Sequence, residues 1–415
     1  MTKIIKINAR SVFDSRGVPS VEADVFLSSG EIGRFSTPSG SSCGSKEALE
    51  LRDGDPKRFH GKGVNKALGH IRKEITEAVV GKTFSSQNEL DEVLIKLDGT
   101  PNKSRLGANA LLPVSGAFFH ALALSQKRPL YGSGRLLPMP LVNVINGGSH
   151  ANNGLDVQEF MLVPKGAPNF SEALRMVAEI FHALKSLLNA RGLSTGVGDE
   201  GGFAPKLSRN EEALELLMEA SVKSHYQPGR DVFFALDVAA NELFDEQKNL
   251  YRINQHWLDA DALLDWYAGL TKSFPLLSIE DPFGENDYAA FTKITARLGS
   301  SVQIVGDDLF VTNEHYIQEG IERRYANAVL IKMNQIGTMS ETLRAIEMAQ
   351  KGGMRTIISH RSGETEDTTI ADLAVLTEAG QIKTGSMSRS ERVAKYNRLL
   401  RIEEELSGSA RFIVS

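Results

Sequence analysis

Six short apolar runs in the C-terminal two-thirds of this chain end, one after another, at or near a residue able to bind a metal ion or move a proton. The runs are VFFALDVA at Asp237, LLSIEDP at Glu280, VQIVGDDL at Asp307, AVLIKMN at Lys332, TIISHRSGE at His360 and Arg361, and QIKTG at Lys383. Each is continuous and rich in β-branched residues, the pattern of a strand covered on both faces. Amphipathic stretches of helical length lie among them, at 260–273, 286–298, 338–351 and 389–406. Repetition of strand and helix implies parallel strands, and enough such units close into a barrel. Barrels of this kind do their chemistry at the C-terminal ends of the strands, which is where these residues fall.

The expected fold class is α/β, a TIM-like (β/α)8 barrel with an irregular start. LVNVING and QEFMLVP come together first and helices follow, a ββαα opening, before strand and helix begin to alternate. The barrel is preceded by a smaller α+β unit. IIKINARSVFDSRG, PSVEADVFLSSG and EIGRFSTPSG read as three strands broken by Gly, Pro and Ser turns. Helical stretches follow at 62–80, 88–97 and 106–126. The expected domains are an N-terminal capping domain over 1–130 and the barrel over 138–415, meeting in the Gly- and Pro-rich 127–140. One barrel with one smaller domain accounts for 415 residues.

A net charge of −5 supplies no basic surplus to attract nucleic acid or an anionic membrane surface. The single cysteine, Cys43, leaves no intramolecular disulfide and fits a reducing, cytoplasmic setting. MTKIIKINAR alternates like a strand and lacks the apolar core of a signal peptide. No apolar run approaches the length of a membrane span. The expected partners are small molecules, with no nucleic acid and no membrane span.

Asp237, Glu280 and Asp307, at three strand ends, form a hard-oxygen set suited to a cation such as Mg2+ once a closed barrel brings them together. Asp281 and Asp308 compete for the same role; strand alternation predicts that one of each adjacent pair is structural. Lys332 and Lys383 end buried strands. Desolvation and neighbouring positive charge would lower a lysine's pKa and make it a general base; a buried ion pair to one of the acids is the alternative, and position alone leaves both open. In GVGDEGGFAP, glycines flank Asp199 and Glu200 and let a carboxylate approach a ligand. Close to another acid such as Glu159, it would have a raised pKa and donate a proton. SHRSGE holds Ser359, His360, Arg361 and Ser362. Arg361 with the Ser362 hydroxyl suits a phosphate or carboxylate. A Ser–His nucleophile pair is disfavoured, because neighbours on a strand point apart and no G-x-S-x-G elbow exists in the chain. Loops at 36–47 and 145–154 are rich in Gly, Ser and Asn and long enough to close over a site, His150 lying in the second.

Across nearly its full length the chain resembles the enolase family. The resemblance rests on FDSRGVPSVEADV, TPSGSSCGSKEALELRDGD, NKSRLGANA, INGGSH, QEFM, GVGDEGGFAP, SIEDPF, VGDDLFVTN, LIKMNQIGT, SHRSGETEDTTIADLAV and QIKTGSMSRSERVAKYN. It implies reversible dehydration of 2-phospho-D-glycerate to phosphoenolpyruvate in glycolysis and gluconeogenesis. By similarity, Lys332 takes the proton from C2 and Glu200 protonates the departing C3 hydroxyl with Glu159 beside it. Asp237, Glu280 and Asp307 hold one Mg2+, and Ser42 ligates a second that bridges substrate phosphate and carboxylate. Arg361 and Ser362, in the segment with His360, clamp the phosphate, while Lys383 and His150 contact the substrate. The resemblance also implies a homo-oligomer, a dimer or an octamer of dimers. The first mobile loop reads GSSCG where the family generally has G-A-S-T-G, so Cys43 stands in place of a threonine. A different function class, a binding role on the same scaffold in a ribonuclease assembly or in a secreted or cell-surface pool, would be added to the chemistry rather than replace it, since Lys332 and Glu200 are both present.

Overall fold

In the computed structural model, which describes residues 2–40 and 44–412, the chain first builds an antiparallel sheet. β1 (Thr2–Phe13) pairs with β2 (Pro19–Leu27), and β2 with β3 (Ile32–Ser36). The turn between β1 and β2 is held by Asp14, whose carboxylate accepts the amides of Arg16 and Val18 at 2.9 Å each. Helix α1 (Gln87–Asp98) starts where the Ser86 side chain accepts the Glu89 amide, and stops at a left-handed Gly99. Helix α2 (Ala108–Ser125) lies so close to β3 that a Cβ on Gly33 would sit 1.9 Å from the Ala117 carbonyl oxygen. The expectation that no apolar run reaches the length of a membrane span is corrected here. α2 has 18 residues and passes by length and hydropathy, but 83% of it is buried as the core helix of this domain.

The barrel closes from eight strands. They are β4 (Met139–Asn146), β5 (Glu159–Val163), β6 (Phe233–Asp237), β7 (Leu276–Glu280), β8 (Gln303–Gly306), β9 (Ala328–Ile331), β10 (Arg355–Ser359) and β11 (Gly380–Lys383). All six apolar runs of the sequence are barrel strands, and their continuity has a direct cause. One face packs on side chains filling the barrel, among them Met161, Ala235, Val305, Leu330 and Ile357. The other faces the surrounding helices. Those helices include α3 (Phe170–Ala190), α4 (Asn210–Lys223), α5 (Ala260–Ser273), α6 (Tyr288–Leu298), α7 (Glu314–Arg323), α8 (Met339–Lys351), α9 (Thr369–Leu376) and α10 (Ser390–Leu406).

The irregular ββ opening takes the form of a reversal at β5, which runs antiparallel to both β4 and β6. The link from β4 contains only a short turn at Gly148–His150 and no crossover helix, so the chain doubles back. The reversal has a chemical consequence. Glu159 is the first residue of β5 and lies opposite Asp237, the last residue of β6, so it reaches the same rim as the ends of the parallel strands. An antiparallel ribbon (Phe244–Asp245, Leu250–Ile253, His256–Leu258) also intervenes between β6 and α5, which the sequence reading did not separate.

Candidate active site

His150, Glu159, Glu200, Asp237, Asp307, Lys332, His360, Arg361, Ser362 and Lys383 all line one cavity at this rim, and Glu280 touches it through Lys383. Ser42 lies outside the described residues. Each side chain arrives by a simple route: strands end in acids or lysines, and glycine-rich loops carry the rest. In GVGDEGG the backbone of Gly201 has φ +88°, and a Cβ there would come within 2.5 Å of the Ser388 carbonyl oxygen. Only glycine allows the turn that aims Glu200 inward.

Lys383 is buried, and its ammonium donates to Asp237 Oδ2 at 2.8 Å and to both oxygens of Glu280 at 2.9 Å, with Glu159 Oε1 at 3.1 Å. Burial alone would lower its pKa, but Asp237, Glu159 and Glu280 hold it well above the ordinary lysine value. Burial likewise pushes Asp237 up, and the Lys383 ammonium overcomes this and holds it below its usual range. Glu280 is raised well above the carboxylate range by burial and by Asp237 beside it.

Lys332 follows β9 and its ammonium is paired with Asp307. The lowered pKa expected of a base is not what the structure shows. Burial, Arg361 and Lys383 do push Lys332 down, but the neighbouring carboxylates, Asp307 foremost and Glu280 with it, leave it raised. Both lysines therefore adopt the ion-paired alternative. Asp307 is itself oriented by Gln335, whose amide donates to Oδ1 at 2.9 Å.

Across the cavity, Glu200 Oε2 accepts from the Asn143 amide at 3.0 Å, and its Oε1 lies 3.4 Å from His360 Nε2 and 3.8 Å from His150 Nδ1. His150 Nδ1 is also 3.9 Å from Glu159 Oε1. The sequence reading raised the pKa of Glu200; the structure raises its partner instead. Burial and the Glu200 charge push Glu159 well above the usual range. Burial also acts to raise Glu200, but the imidazoles and Arg392 pull it well below. His360 is lowered to about 4, chiefly by burial. The two glutamates form one interacting pair, in which burial and the Glu200 charge raise Glu159 while the neighbouring imidazoles and Arg392 lower Glu200.

Arg361 is buried and grips Glu47 with both ends of its guanidinium, at 2.8 and 3.2 Å, and touches Asn334 Oδ1 at 3.3 Å. Arg16 donates to Ser362 Oγ at 3.3 Å. Ser359 donates to the His360 carbonyl at 3.0 Å, so no Ser–His nucleophile pair forms.

Asp281, Asp307 and Asp308 bring carboxylate oxygens within 4.8 Å of one another, and so do the ligand atoms of His150, Glu159 and Glu200. The expectation that Asp281 and Asp308 face away is corrected. They lie past the strand ends, where alternation no longer applies, and Asp281 has φ +41°. Asp281 also has a structural task, accepting the amides of Asp307 and Asp308 at 2.8 and 2.9 Å. Burial and Asp307 push Asp308 up to about 7. Seven carboxylates (Glu159, Glu200, Asp237, Glu280, Asp281, Asp307 and Asp308) share this rim with the ammonium groups of Lys332 and Lys383. Such an excess of oxygen donors has metal-binding capacity, and hard divalent cations match it. The Lys383 ammonium already shows that one cation can satisfy Asp237 and Glu280 together.

Two participants were missed in the sequence. Glu47 is the last residue of the 36–47 segment and gave no signal of its partner. Arg392 did leave one: it lies on the helical stripe Arg392, Lys395, Tyr396, Leu399, Ile402, all buried in α10, where charged residues are out of place unless they have partners.

Comparison with known families agrees with this architecture. The sequence model described as "Enolase, N-terminal domain" matches residues 4–133, and that described as "Enolase, C-terminal TIM barrel domain" matches residues 134–414. With nearly every residue covered, a closed barrel behind a smaller domain and the acid-rich rim in place, the chain belongs to the enolase family of lyases.

Proposed function

We propose that the protein is a phosphopyruvate hydratase, catalysing the Mg2+-dependent, reversible dehydration of 2-phospho-D-glycerate to phosphoenolpyruvate. The observation that carries this reading is the gathering of buried Lys383, half-buried Lys332, the Glu159–Glu200 pair and the Arg361–Ser362 corner around one cavity. In the forward direction Lys332 takes the C2 proton. The electron pair left on C2 forms the C2–C3 double bond, the C3–O bond breaks, and Glu200 passes a proton drawn from its raised neighbour Glu159 to the departing hydroxyl, which leaves as water. Arg361 and Ser362 hold the phosphate, and Lys383 and His150 contact the substrate.

Asp237, Glu280 and Asp307 would hold the first Mg2+, with Ser42 proposed for a second. When bound, the ions supply positive charge beside the substrate carboxylate, where deprotonation at C2 develops a second negative charge. The same residues bear on the base. Asp307 is the foremost group that raises Lys332, so an Asp307 engaged elsewhere leaves burial, Arg361 and Lys383, which lower its pKa, opposed by Glu280.

The reading is tested by mixing the protein with 2-phosphoglycerate and Mg2+, following enol-phosphate absorbance, then adding EDTA. Product that appears with Mg2+ and stops with EDTA supports it; a folded protein that forms none refutes it. Lys332→Ala should abolish C2 proton exchange, whereas Glu200→Gln should block dehydration and spare that exchange. Wild-type exchange in the first variant would remove Lys332 as the base.

A further inference from the structure

Arg392 is the largest fully buried side chain of the described residues; it reaches Ser15 Oγ and Glu391 Oε1 at 3.4 Å each, and its shorter contacts converge on the site. Nη1 lies 2.6 Å from His360 Nδ1 and 2.6 Å from the Arg361 carbonyl oxygen. Nη2 donates to the Ser362 carbonyl at 2.6 Å and to the Asp199 carbonyl at 3.3 Å. A guanidinium has five donors and no acceptor and stays charged in proteins. His360 Nδ1 must therefore be the acceptor in this contact. A neutral imidazole with Nδ1 accepting carries its proton on Nε2, and Nε2 is the atom 3.4 Å from Glu200 Oε1.

We propose that Arg392 is a positioning residue that fixes the tautomer of His360, keeping Nε2–H directed at Glu200 so that His360 cannot take the acid's proton. The inference rests on the reading of Glu200 as the acid. In the other tautomer a lone pair on Nε2 would face Glu200 Oε1 and compete with the departing hydroxyl for its proton. With Nε2 occupied, the proton is left to Glu200, to Glu159 and to substrate. Asn143, donating to the other oxygen, completes a shell of donors around the carboxylate.

The test reads the tautomer directly. In the full-length protein with 15N-labelled histidine, long-range 1H–15N spectra report which ring nitrogen is protonated, and loss of one signal set in His360→Gln assigns it. The expected result is His360 protonated at Nε2 in the wild type and in Arg392→Lys, which retains a donor. In Arg392→Gln, whose amide can also accept, the expected result is a mixture, or protonation at Nδ1. Net dehydration should fall about 10- to 100-fold in Arg392→Gln, recover in Arg392→Lys, and leave C2 exchange nearly unchanged. Protonation at Nδ1 in the wild type overturns the proposal without any variant having to fold. So does an unchanged Nε2–H tautomer in a folded Arg392→Gln. A wild type with the Nε2–H tautomer but no dehydration of 2-phosphoglycerate would instead sink the functional reading and leave the tautomer assignment standing.

Discussion

Replacing Lys383 by Met should reveal what the ammonium does for the fold. The side chains are similar in length, so the change removes a charge while roughly keeping volume. Lys383 holds Asp237, Glu280 and Glu159 within 2.8 to 3.1 Å, all buried. Removing one partner of a buried ion pair typically costs about 3–5 kcal/mol, because the remaining charge has neither water nor counterion. An unfolding entropy of about 2.1 cal/mol/K per residue gives a chain of this length about 0.9 kcal/mol/K, so the loss corresponds to about 3–6 °C in Tm. The assay is thermal unfolding of both proteins near pH 7 in EDTA. The pH dependence is a second check. The folded pKa of Lys383 is raised, so its contribution is complete below the unfolded value of 10.5 and disappears as pH climbs through the folded value. That of Asp237 is depressed, so its contribution is present above the unfolded value of 3.8 and disappears as pH falls through the folded one. The difference between wild type and variant should thus be widest near neutrality and shrink in acid. A variant that melts within about 1 °C of wild type at pH 7 would show that the ammonium does not hold these carboxylates.

Two further outcomes follow from residues outside the ion pairs. Gly201→Ala places a side chain at φ +88° and against the Ser388 carbonyl, costing about 1–2 kcal/mol for the backbone alone. Dehydration should fall far more than stability, because the turn carries Glu200; equal activity in a pure sample would mean the loop tolerates the shift. Asp91 is buried beneath α8 with its pKa pushed up to about 6 by burial, against a reference of 3.8. The folded state holds that proton more tightly, so its contribution to stability declines as pH rises between these values, by about 3 kcal/mol in total. Urea unfolding of Asp91→Asn at several pH values should lack this decline, and curves that stay parallel to wild type would refute it.

The barrel was legible because strands buried on two faces must be apolar throughout, and residues of chemical type stood out at their ends. The antiparallel β5 was not legible. QEFMLVP looks the same in either direction, and only the length and content of the link before it decides the matter. Glu159 reaches the rim by that reversal, so its place in the site could be named by resemblance but not by strand logic. Helix α9 escaped notice for another reason: Thr369–Leu376 is buried nearly throughout and has no polar stripe to mark its period. Asp281 and Asp308 were misplaced by extending strand alternation one residue too far. Glu47 and Arg361 are separated by most of the chain, and nothing local in either segment announces a partner.

The charges at the rim explain why position alone left each lysine open between a base and an ion pair. A local reading sees a lysine at a buried strand end, where burial is the only influence visible. The structure adds carboxylates from other strands: Asp307 at Lys332, and Asp237, Glu280 and Glu159 at Lys383. Each lysine is satisfied by acids that the proposed chemistry assigns to a cation or to proton transfer. The arrangement avoids burying unpaired charge while the protein folds, and it makes the base conditional. Lys332 stays protonated as long as Asp307 is its partner, and the groups that would lower its pKa are already beside it. On the proposed mechanism, a change in the partner of Asp307 would move Lys332 toward the neutral form a base needs, against the pull of Glu280 and with no rearrangement of the barrel.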